Sequence, residues 1–205
     1  MKPLPRLYAI ADATFSDPIQ LAKSLFNGGA RLLQVRNKKG SARELLNQVE
    51  SILSLAPKDA EVIVNDRVDV ALIAGAGGVH LGQTDLPAIE ARQILGPNRI
   101  IGVSTHNLEQ ALEAARLPVD YLAVGPIFPT ATKENPDPVV GLEKLGAICK
   151  AVRKPVVAIG GIKLQDAAAV LAAGAQSVAV IHDVLGAPHI PERVGEWIQK
   201  LNTTV

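Results

Sequence analysis

Charged and polar side chains follow several of the short apolar segments of this sequence. Arg36 and Lys38 end one such segment, and Asp66 and Asp85 follow two later ones. Arginine offers a bidentate fork and lysine a point charge for phosphate oxygens. Two carboxylates beside a diphosphate would hold Mg²⁺, which prefers oxygen ligands and keeps several waters. These residue types therefore indicate binding of a phosphate or diphosphate together with Mg²⁺.

A second phosphate-binding region is indicated further along the chain. Gly161 lets the backbone approach a ligand closely, and residues 182–184 could start a short helix whose free N–H groups receive an anion. The segment 125–140 holds four prolines and is too long for a simple turn, so it is either a binding loop or a surface loop with no role. Its hydroxyl and ammonium donors are Thr130, Thr132 and Lys133.

Ordinary structural roles also account for these residues when each is taken singly. Carboxylates at such positions commonly cap helices, which covers Asp12, Asp66 and Asp85. Arg36 would then pair with a neighbouring carboxylate, and His80 would be a core histidine with satisfied hydrogen bonds. Only their coincidence at the ends of many strands favours a site.

The elements that position these residues are short apolar runs alternating with amphipathic helical stretches, a pattern typical of βαβ units and a parallel sheet. Strands are predicted at 7–11, 31–35, 61–64, 78–81, 99–103, 120–124, 155–159 and 176–181, and helices at 18–28, 41–55, 67–75, 106–116, 141–151 and 164–173, among others. The phrase AGA or GGA at 28–30, 74–76 and 173–175 marks the same helix-to-strand turn three times.

Eight such units predict a single α/β domain, a (β/α)₈ TIM barrel over residues 1–205. A doubly wound sheet is the alternative, but no GxGxxG follows the first strand. In these barrels the active site lies at the carboxyl ends of the strands. Gln34 and Arg36 share one strand face because side chains alternate with a period of two, so both point into the barrel mouth.

Composition and charge exclude several classes of protein. The 21 basic and 20 acidic residues give a net charge of +1, which argues against a dedicated nucleic-acid binder. The single cysteine, Cys149, is interpreted as a small core residue and fits a reducing cytoplasm. The sequence shows neither a signal peptide nor an apolar run of about 18 residues for a membrane span. The four histidines lack the spacing of a zinc site.

The same motifs resemble thiamine phosphate synthases and the related thiazole tautomerases. The stretches are QVRNK (34–38), VNDRVDVALIAGAGGVHLGQTD (64–85), IGVSTHNLEQALEAA (101–115), DYLAVGPIFPTATK (120–133) and PVVAIGGI (155–162). They run through most of the chain, and NDRVDVAL, VHLGQTD and GPIFPTATK in this order are highly specific for the superfamily.

The resemblance implies that hydroxymethylpyrimidine diphosphate is joined to a thiazole phosphate with release of diphosphate, giving thiamine phosphate. The C–O bond would break largely before the thiazole nitrogen attacks. The resemblance makes Asp66 and Asp85 the Mg²⁺ ligands. Its other implied site residues are Arg36, Lys38 and Lys133 for the leaving diphosphate, Gln34, Asn65 and His80 for the pyrimidine, Ser104 at the reacting centre, and Thr130, Thr132, Gly161, Ile181 and His182 for the thiazole phosphate.

This chain departs from the family pattern at three places. Asn37 lies where an acidic residue is frequent, and the first strand ends in Ala11-Asp12-Ala13 rather than a Thr-Asp-Arg-like phrase. His182 replaces the usual serine, so an imidazole would take the place of a hydroxyl contact to phosphate and make phosphate binding sensitive to pH near neutrality.

Two alternatives remain open. A thiazole tautomerase would share the barrel, but its relatives tend to carry a histidine at the position of Pro126 and to lose the Thr-Lys loop residues kept here. A catalytically silent binder of thiamine phosphate would have no need of residues that stabilise a leaving diphosphate. The partners implied are small-molecule substrates, without nucleic acid or membrane, and the sequence leaves a homodimer open.

Overall fold

The protein folds as a closed barrel of eight parallel strands surrounded by helices, in a computed structural model that describes residues 3–130 and 137–203. The strands are β1 (Leu7–Asp12), β2 (Leu32–Arg36), β3 (Glu61–Asn65), β4 (Gly78–Leu81), β5 (Ile100–Thr105), β6 (Tyr121–Val124), β7 (Val156–Ile159) and β8 (Ser177–Val180). Each strand pairs with its sequence neighbours, and β8 closes the barrel against β1. The predicted barrel is confirmed, and the doubly wound alternative is wrong.

The helices are α1 (Pro18–Asn27), α2 (Ala42–Leu55), α3 (Val68–Ile73), α4 (Ala88–Leu95), α5 (Leu108–Ala115), α6 (Gly141–Ala151), α7 (Ala167–Ala172), α8 (His182–Leu185) and α9 (Ile190–Thr203). A 3₁₀ turn over Leu164–Asp166 precedes α7, so the helical stretch predicted at 164–173 is divided in two. The short helix predicted after the last strand is confirmed as α8. None of the described helices is long and apolar enough to cross a membrane.

Local sequence signals account for several of the helix boundaries. Asp17 and Ser41 cap α1 and α2 by accepting hydrogen bonds from backbone N–H groups of the first turn. The three repeated helix-to-strand turns are confirmed, since Gly29, Gly75 and Gly174 all have positive φ, at 102°, 71° and 106°.

Period-two alternation along the strands divides the apolar residues into two cores. The larger core packs strands against helices, and Trp197 on α9 is fully buried in it. The smaller core fills the barrel interior with inward-facing side chains, which include Tyr8, Ile10, Ile63 and Tyr121. Because these side chains fill the barrel interior, a ligand is expected to bind at the carboxyl ends of the strands, as in other barrels of this kind.

Cys149 lies half-buried on α6, beside Gly174. Burial raises the pKa of its thiol to about 11, so the thiol stays protonated at neutral pH. This environment agrees with the interpretation of Cys149 as a packing residue.

Candidate active site

A cavity of about 820 Å³ opens at the carboxyl ends of the strands. It gathers every predicted site residue that the structure describes: Gln34, Arg36, Lys38, Asn65, Asp66, His80, Asp85, Ser104, Thr130, Gly161, Ile181 and His182. Thr132 and Lys133 lie outside the described residues. Residues from seven strand ends and their loops thus meet in one place, as their order along the chain predicts.

The rim of the cavity carries opposite charges in contact. The Nζ of Lys38 lies 3.2 Å from a carboxylate oxygen of Asp66. Burial raises the pKa of the Asp66 carboxyl above its ordinary value, the adjacent Asp85 raises it further, and the Lys38 ammonium lowers it. Two carboxylates and a lysine therefore share this side of the cavity.

The backbone at Asp66 is also unusual. Asp66 has a φ of 64° and is the one non-glycine residue with positive φ among residues 3–130 and 137–203. Its backbone N–H donates to the His80 carbonyl oxygen, which holds this turn against the end of β4. A left-handed conformation at an aspartate costs free energy, and such conformations cluster at ligand-binding positions.

The helix-cap interpretation of the three aspartates is wrong. No side-chain cap bond forms at the start of α3 or α4, which Asp66 and Asp85 precede. Asp85 instead accepts a hydrogen bond of 2.6 Å from the Gly82 backbone N–H. Asp12 accepts from the backbone and the hydroxyl of Thr14, and α1 is capped by Asp17.

Arg36 fulfils both interpretations made from the sequence. Its guanidinium donates to Asp12 at 2.6 Å, and it also lines the cavity. Asp12 is fully buried, so this charge pair is largely shielded from water and holds Arg36 at the mouth. Asp12 is thus the part of the unusual Ala11-Asp12-Ala13 phrase that orients the arginine.

Asn37 faces away from the cavity. Its amide nitrogen donates to Glu44 and Gln48, and its oxygen accepts from the Gly40 N–H. Asn37 therefore braces the loop between β2 and α2, and its departure from the family pattern leaves the lining of the cavity unchanged.

The floor of the cavity is polar and buried. Gln34, Asn65 and His80 are 3%, 8% and 7% exposed. His80 has hydrogen-bond partners on both ring nitrogens, the hydroxyl groups of Tyr121 and Ser104, each at 2.9 Å. The interpretation of His80 as a satisfied histidine is confirmed, and the same side chain also lines the cavity.

On the opposite side, the ends of β7 and β8 form a glycine-rich wall. A Cβ at Gly161 would lie 2.5 Å from the Pro129 carbonyl oxygen and 2.6 Å from that of Phe128, and its φ is 67°. Gly161 thus permits close packing of the loop that follows β6. His182 begins α8 with its ring edge-to-face on Phe15, at a centroid distance of 5.6 Å.

Sequence reasoning missed several side chains around the site. Tyr8 and Thr14 come from β1 and its following loop, and Lys163 follows the two glycines after β7. Tyr8 is two residues before Ile10 and four before Asp12, so strand alternation places it on the inward face. His106, which follows β5, is a further side chain that lines the cavity: its Nδ1 donates to the Gly125 carbonyl oxygen at 2.6 Å, and its Nε2 lies 3.4 Å from Asp137.

Comparison with known proteins agrees with this arrangement. Residues 7–184 match the family model described as thiamine monophosphate synthase. The chain belongs to this family. It is 48% identical to the thiamine-phosphate synthase of Koribacter versatilis, over 98% of this chain and 97% of that protein. It is also 48% identical to the thiamine-phosphate synthase of Anaeromyxobacter dehalogenans, over 88% of this chain and 81% of that protein.

A solved structure of a family member has the same architecture. The thiamine phosphate pyrophosphorylase of Pyrococcus furiosus superposes with a TM-score of 0.90 at 38% identity, covering 98% of this chain and 97% of that one. A 3-hexulose-6-phosphate synthase is similar in fold alone, with a TM-score of 0.74 at 19% identity over 96% of this chain and 99% of that one.

Proposed function

We propose that this protein joins hydroxymethylpyrimidine diphosphate to a thiazole phosphate, releasing diphosphate and forming thiamine phosphate. One observation carries the proposal: the cavity has a charged rim of Lys38, Asp66 and Asp85 directly above a buried polar floor. A site that breaks the C–O bond between a diphosphate and the methylene group of an aromatic heterocycle needs both, since the leaving group is strongly anionic and the ring is not. Membership of the thiamine monophosphate synthase family supports the same assignment.

The Mg²⁺ site is part of the proposal. Within residues 3–130 and 137–203, no group of three or more His, Cys, Asp or Glu side chains is arranged to hold a metal. Two carboxylates are nevertheless the usual protein share of a Mg²⁺ site, where waters and substrate phosphates supply the other ligands. Asp66 and Asp85 fit this role because they are close enough for one to raise the pKa of the other. When bound, the ion would neutralise charge that develops on the departing diphosphate.

The basic side chains around the rim are proposed to bind the diphosphate. Arg36 and Lys38 would bind diphosphate oxygens, the first as a fork held by Asp12 and the second as a mobile point charge. Lys133, from the loop after β6, is proposed to join them. Electrostatic stabilisation of this kind acts most strongly where the bound substrate and the protein exclude water.

The floor would orient the pyrimidine through Gln34, Asn65 and Ser104, with His80 behind Ser104. The wall of Gly161, Ile181 and His182, with Thr130 and Thr132, would hold the thiazole phosphate. The attacking thiazole nitrogen carries no proton that must leave, so the proposal needs no general base. Dissociation of the C–O bond before attack suits a site whose strongest charges lie around the leaving group.

The decisive experiment is a turnover assay. Purified protein receives both substrates with Mg²⁺ present or chelated, and thiamine phosphate is detected after oxidation to its fluorescent product. We expect product only with Mg²⁺, and a loss of about 100-fold or more in Asp66→Ala and in Asp85→Ala. The matched control is Asp59→Ala, which removes an exposed carboxylate paired with Arg31 on the outer surface.

Other outcomes separate the alternatives. Full activity in both cavity variants would refute the Mg²⁺ assignment. Folded protein that forms no thiamine phosphate but isomerises a thiazole carboxylate phosphate would be a tautomerase. Binding of thiamine phosphate without either turnover would identify a silent binder.

The cytoplasmic location and the homodimer stay predictions. Large exposed apolar side chains on the consecutive helices α3, α4 and α5 are where a second copy would pack: Leu72, Ile73, Ile89, Ile94, Leu108 and Leu112. Light scattering of the purified protein distinguishes one copy from two.

A further inference from the structure

Five polar side chains form one continuous hydrogen-bonded chain at the floor of the cavity. Gln34 Nε2 donates to the Tyr8 hydroxyl at 3.0 Å, and the hydroxyl groups of Tyr8 and Tyr121 lie 2.9 Å apart. The Tyr121 hydroxyl lies 2.9 Å from His80 Nδ1, and His80 Nε2 lies 2.9 Å from Ser104 Oγ. The five side chains cross the barrel from β2 to β5, and all except Tyr121 line the cavity, with Ser104 at one end of the series.

Each hydroxyl has one hydrogen to donate, and this fixes which group is the donor in each bond of the hydrogen-bonded chain. The Gln34 amide nitrogen can only donate, so the Tyr8 oxygen accepts from it. Tyr121 is the other described partner of the buried Tyr8 hydroxyl, so the Tyr8 hydrogen is paired only if it goes to the Tyr121 oxygen. The hydrogen of Tyr121 then goes to His80 Nδ1, which leaves the imidazole hydrogen on Nε2. Nε2–H donates to Ser104 Oγ, and the hydrogen of Ser104 remains for a group in the cavity.

Packing keeps both phenols neutral and in place. Burial raises the pKa of Tyr8 and of Tyr121 well above the ordinary value for tyrosine, so each retains its hydrogen. The Tyr121 ring stacks on His80 at 15° and meets Tyr8 edge-to-face at 80°. It also lies over Gly102, where a Cβ would approach the ring to 1.9 Å. The ring therefore has no room to turn its hydroxyl elsewhere.

We propose that Tyr8 and Tyr121 are positioning residues that fix His80 in its Nε2–H tautomer and direct the Ser104 hydroxyl hydrogen into the cavity. The floor then selects a heteroaromatic ring that presents a nitrogen lone pair to Ser104, and it disfavours a ring that presents N–H there, because two donors would face each other. In assigning this contact to the pyrimidine, the inference rests on the function proposed above. The tautomer itself is a property of the free protein.

The first experiment measures the tautomer without substrate. ¹⁵N NMR of histidine-labelled protein distinguishes a protonated from an unprotonated ring nitrogen, and the His80 signals are assigned by their loss in His80→Gln. We expect hydrogen on Nε2 in the wild type and mixed tautomers in Tyr121→Phe. Thr105→Val is the matched control, since it removes a buried hydroxyl on β5, next to Ser104, whose hydrogen goes to the Ala123 carbonyl oxygen. Its His80 signals should equal those of the wild type.

The second experiment is a double-mutant cycle between Tyr121→Phe and Ser104→Ala. We expect Tyr121→Phe to raise the KM for the pyrimidine diphosphate about 10-fold, the value of one hydrogen bond, and to leave the KM for the thiazole phosphate unchanged. In the Ser104→Ala background the same substitution should change the first KM by less than about 3-fold, because the hydroxyl through which it acts is gone. A merely structural role for Tyr121 predicts additive effects.

Each outcome decides the proposal. Hydrogen on Nδ1, or on both ring nitrogens, in the wild type would overturn it, as would additive effects in the cycle. If Tyr121→Phe does not fold, Tyr8→Phe removes the preceding link and supports the same measurements. A wild-type protein without synthase activity would refute the proposed function, and the tautomer measured on the same sample would still decide the direction of the chain.

Discussion

Replacing Gly102 by alanine tests whether the packing of Tyr121 positions the polar floor of the cavity. The added Cβ would lie 1.9 Å from the tip of the Tyr121 ring, where ordinary contact begins at 3.4 Å, so the ring must retreat by about 1.5 Å. Such a shift stretches the 2.9 Å bonds from its hydroxyl to Tyr8 and His80 beyond hydrogen-bonding range.

Overpacking typically costs about 1–3 kcal/mol, and each lost hydrogen bond about 1 kcal/mol. Because two hydrogen bonds are lost, we expect Gly102→Ala to lower the free energy of unfolding by about 3–5 kcal/mol and Tm by roughly 10 °C. Urea denaturation and thermal unfolding measure both quantities. The KM for the pyrimidine diphosphate should rise as it does in Tyr121→Phe.

Gly195→Ala is the matched control, because Gly195 lies within α9 and a Cβ there meets nothing within 4 Å. It should raise the free energy of unfolding by about 0.5–1 kcal/mol through helix propensity alone. If Gly102→Ala were as stable as the wild type and equally active, the close packing at Tyr121 would not position the floor, and the reasoning would be refuted.

Three further predictions concern the rim and the backbone. Asp66→Asn should raise Tm by about 2–4 °C without divalent cations, because ionised Asp66 lies beside Asp85, and Lys38, the described cation that offsets this repulsion, is about half exposed. Because the pKa of Asp66 is raised in the folded protein, the wild type loses stability as pH rises and Asp66 ionises. The Tm gain of Asp66→Asn over the wild type should therefore be full at neutral pH and absent in acid, where Asp66 is protonated. Asp12→Asn should lower the free energy of unfolding by about 3 kcal/mol, measured by urea denaturation, since it leaves Arg36 without its buried partner. An unchanged free energy of unfolding would show that the pair does not stabilise the fold. Gly75→Ala should lower the free energy of unfolding by about 1 kcal/mol in the same assay, because Gly75 has a φ of 71°. An added Cβ would meet no atom within 4 Å, so the backbone conformation alone would cause the loss.

Much of the fold and of the cavity lining follows from local patterns. Apolar runs and helical periodicity predict both ends of all eight strands to within two residues, because both signals lie within a few neighbouring positions. Lys38 and Asp66 come together because the carboxyl ends of parallel strands meet at one face of a barrel. The sequence also placed Gly161 and His182 at this face, from the glycine pair after β7 and the turn after β8.

Other features depend on partners that no local pattern identifies. In the sequence, three aspartates resemble helix caps: Asp12, Asp66 and Asp85. The tertiary structure excludes that role, because Asp12 pairs with Arg36 and because Asp66 and Asp85 lie beside each other without capping α3 or α4. A capping bond requires the carboxylate to accept from a backbone N–H of the first helical turn. Asp12 and Asp66 instead contact Arg36 and Lys38 from β2 and its following loop, and Asp85 accepts from the Gly82 N–H.

The sequence by itself determined the order of elements, the closed barrel and which strand ends carry polar groups. The tertiary structure decided which of those groups touch. Tyr8 and Tyr121 are 113 residues apart and resemble ordinary core aromatics in sequence, yet their hydroxyl groups meet at 2.9 Å. Closure of the barrel and the space left by Gly102 bring them together, because strand alternation fixes the face of a side chain but not its partner across the interior.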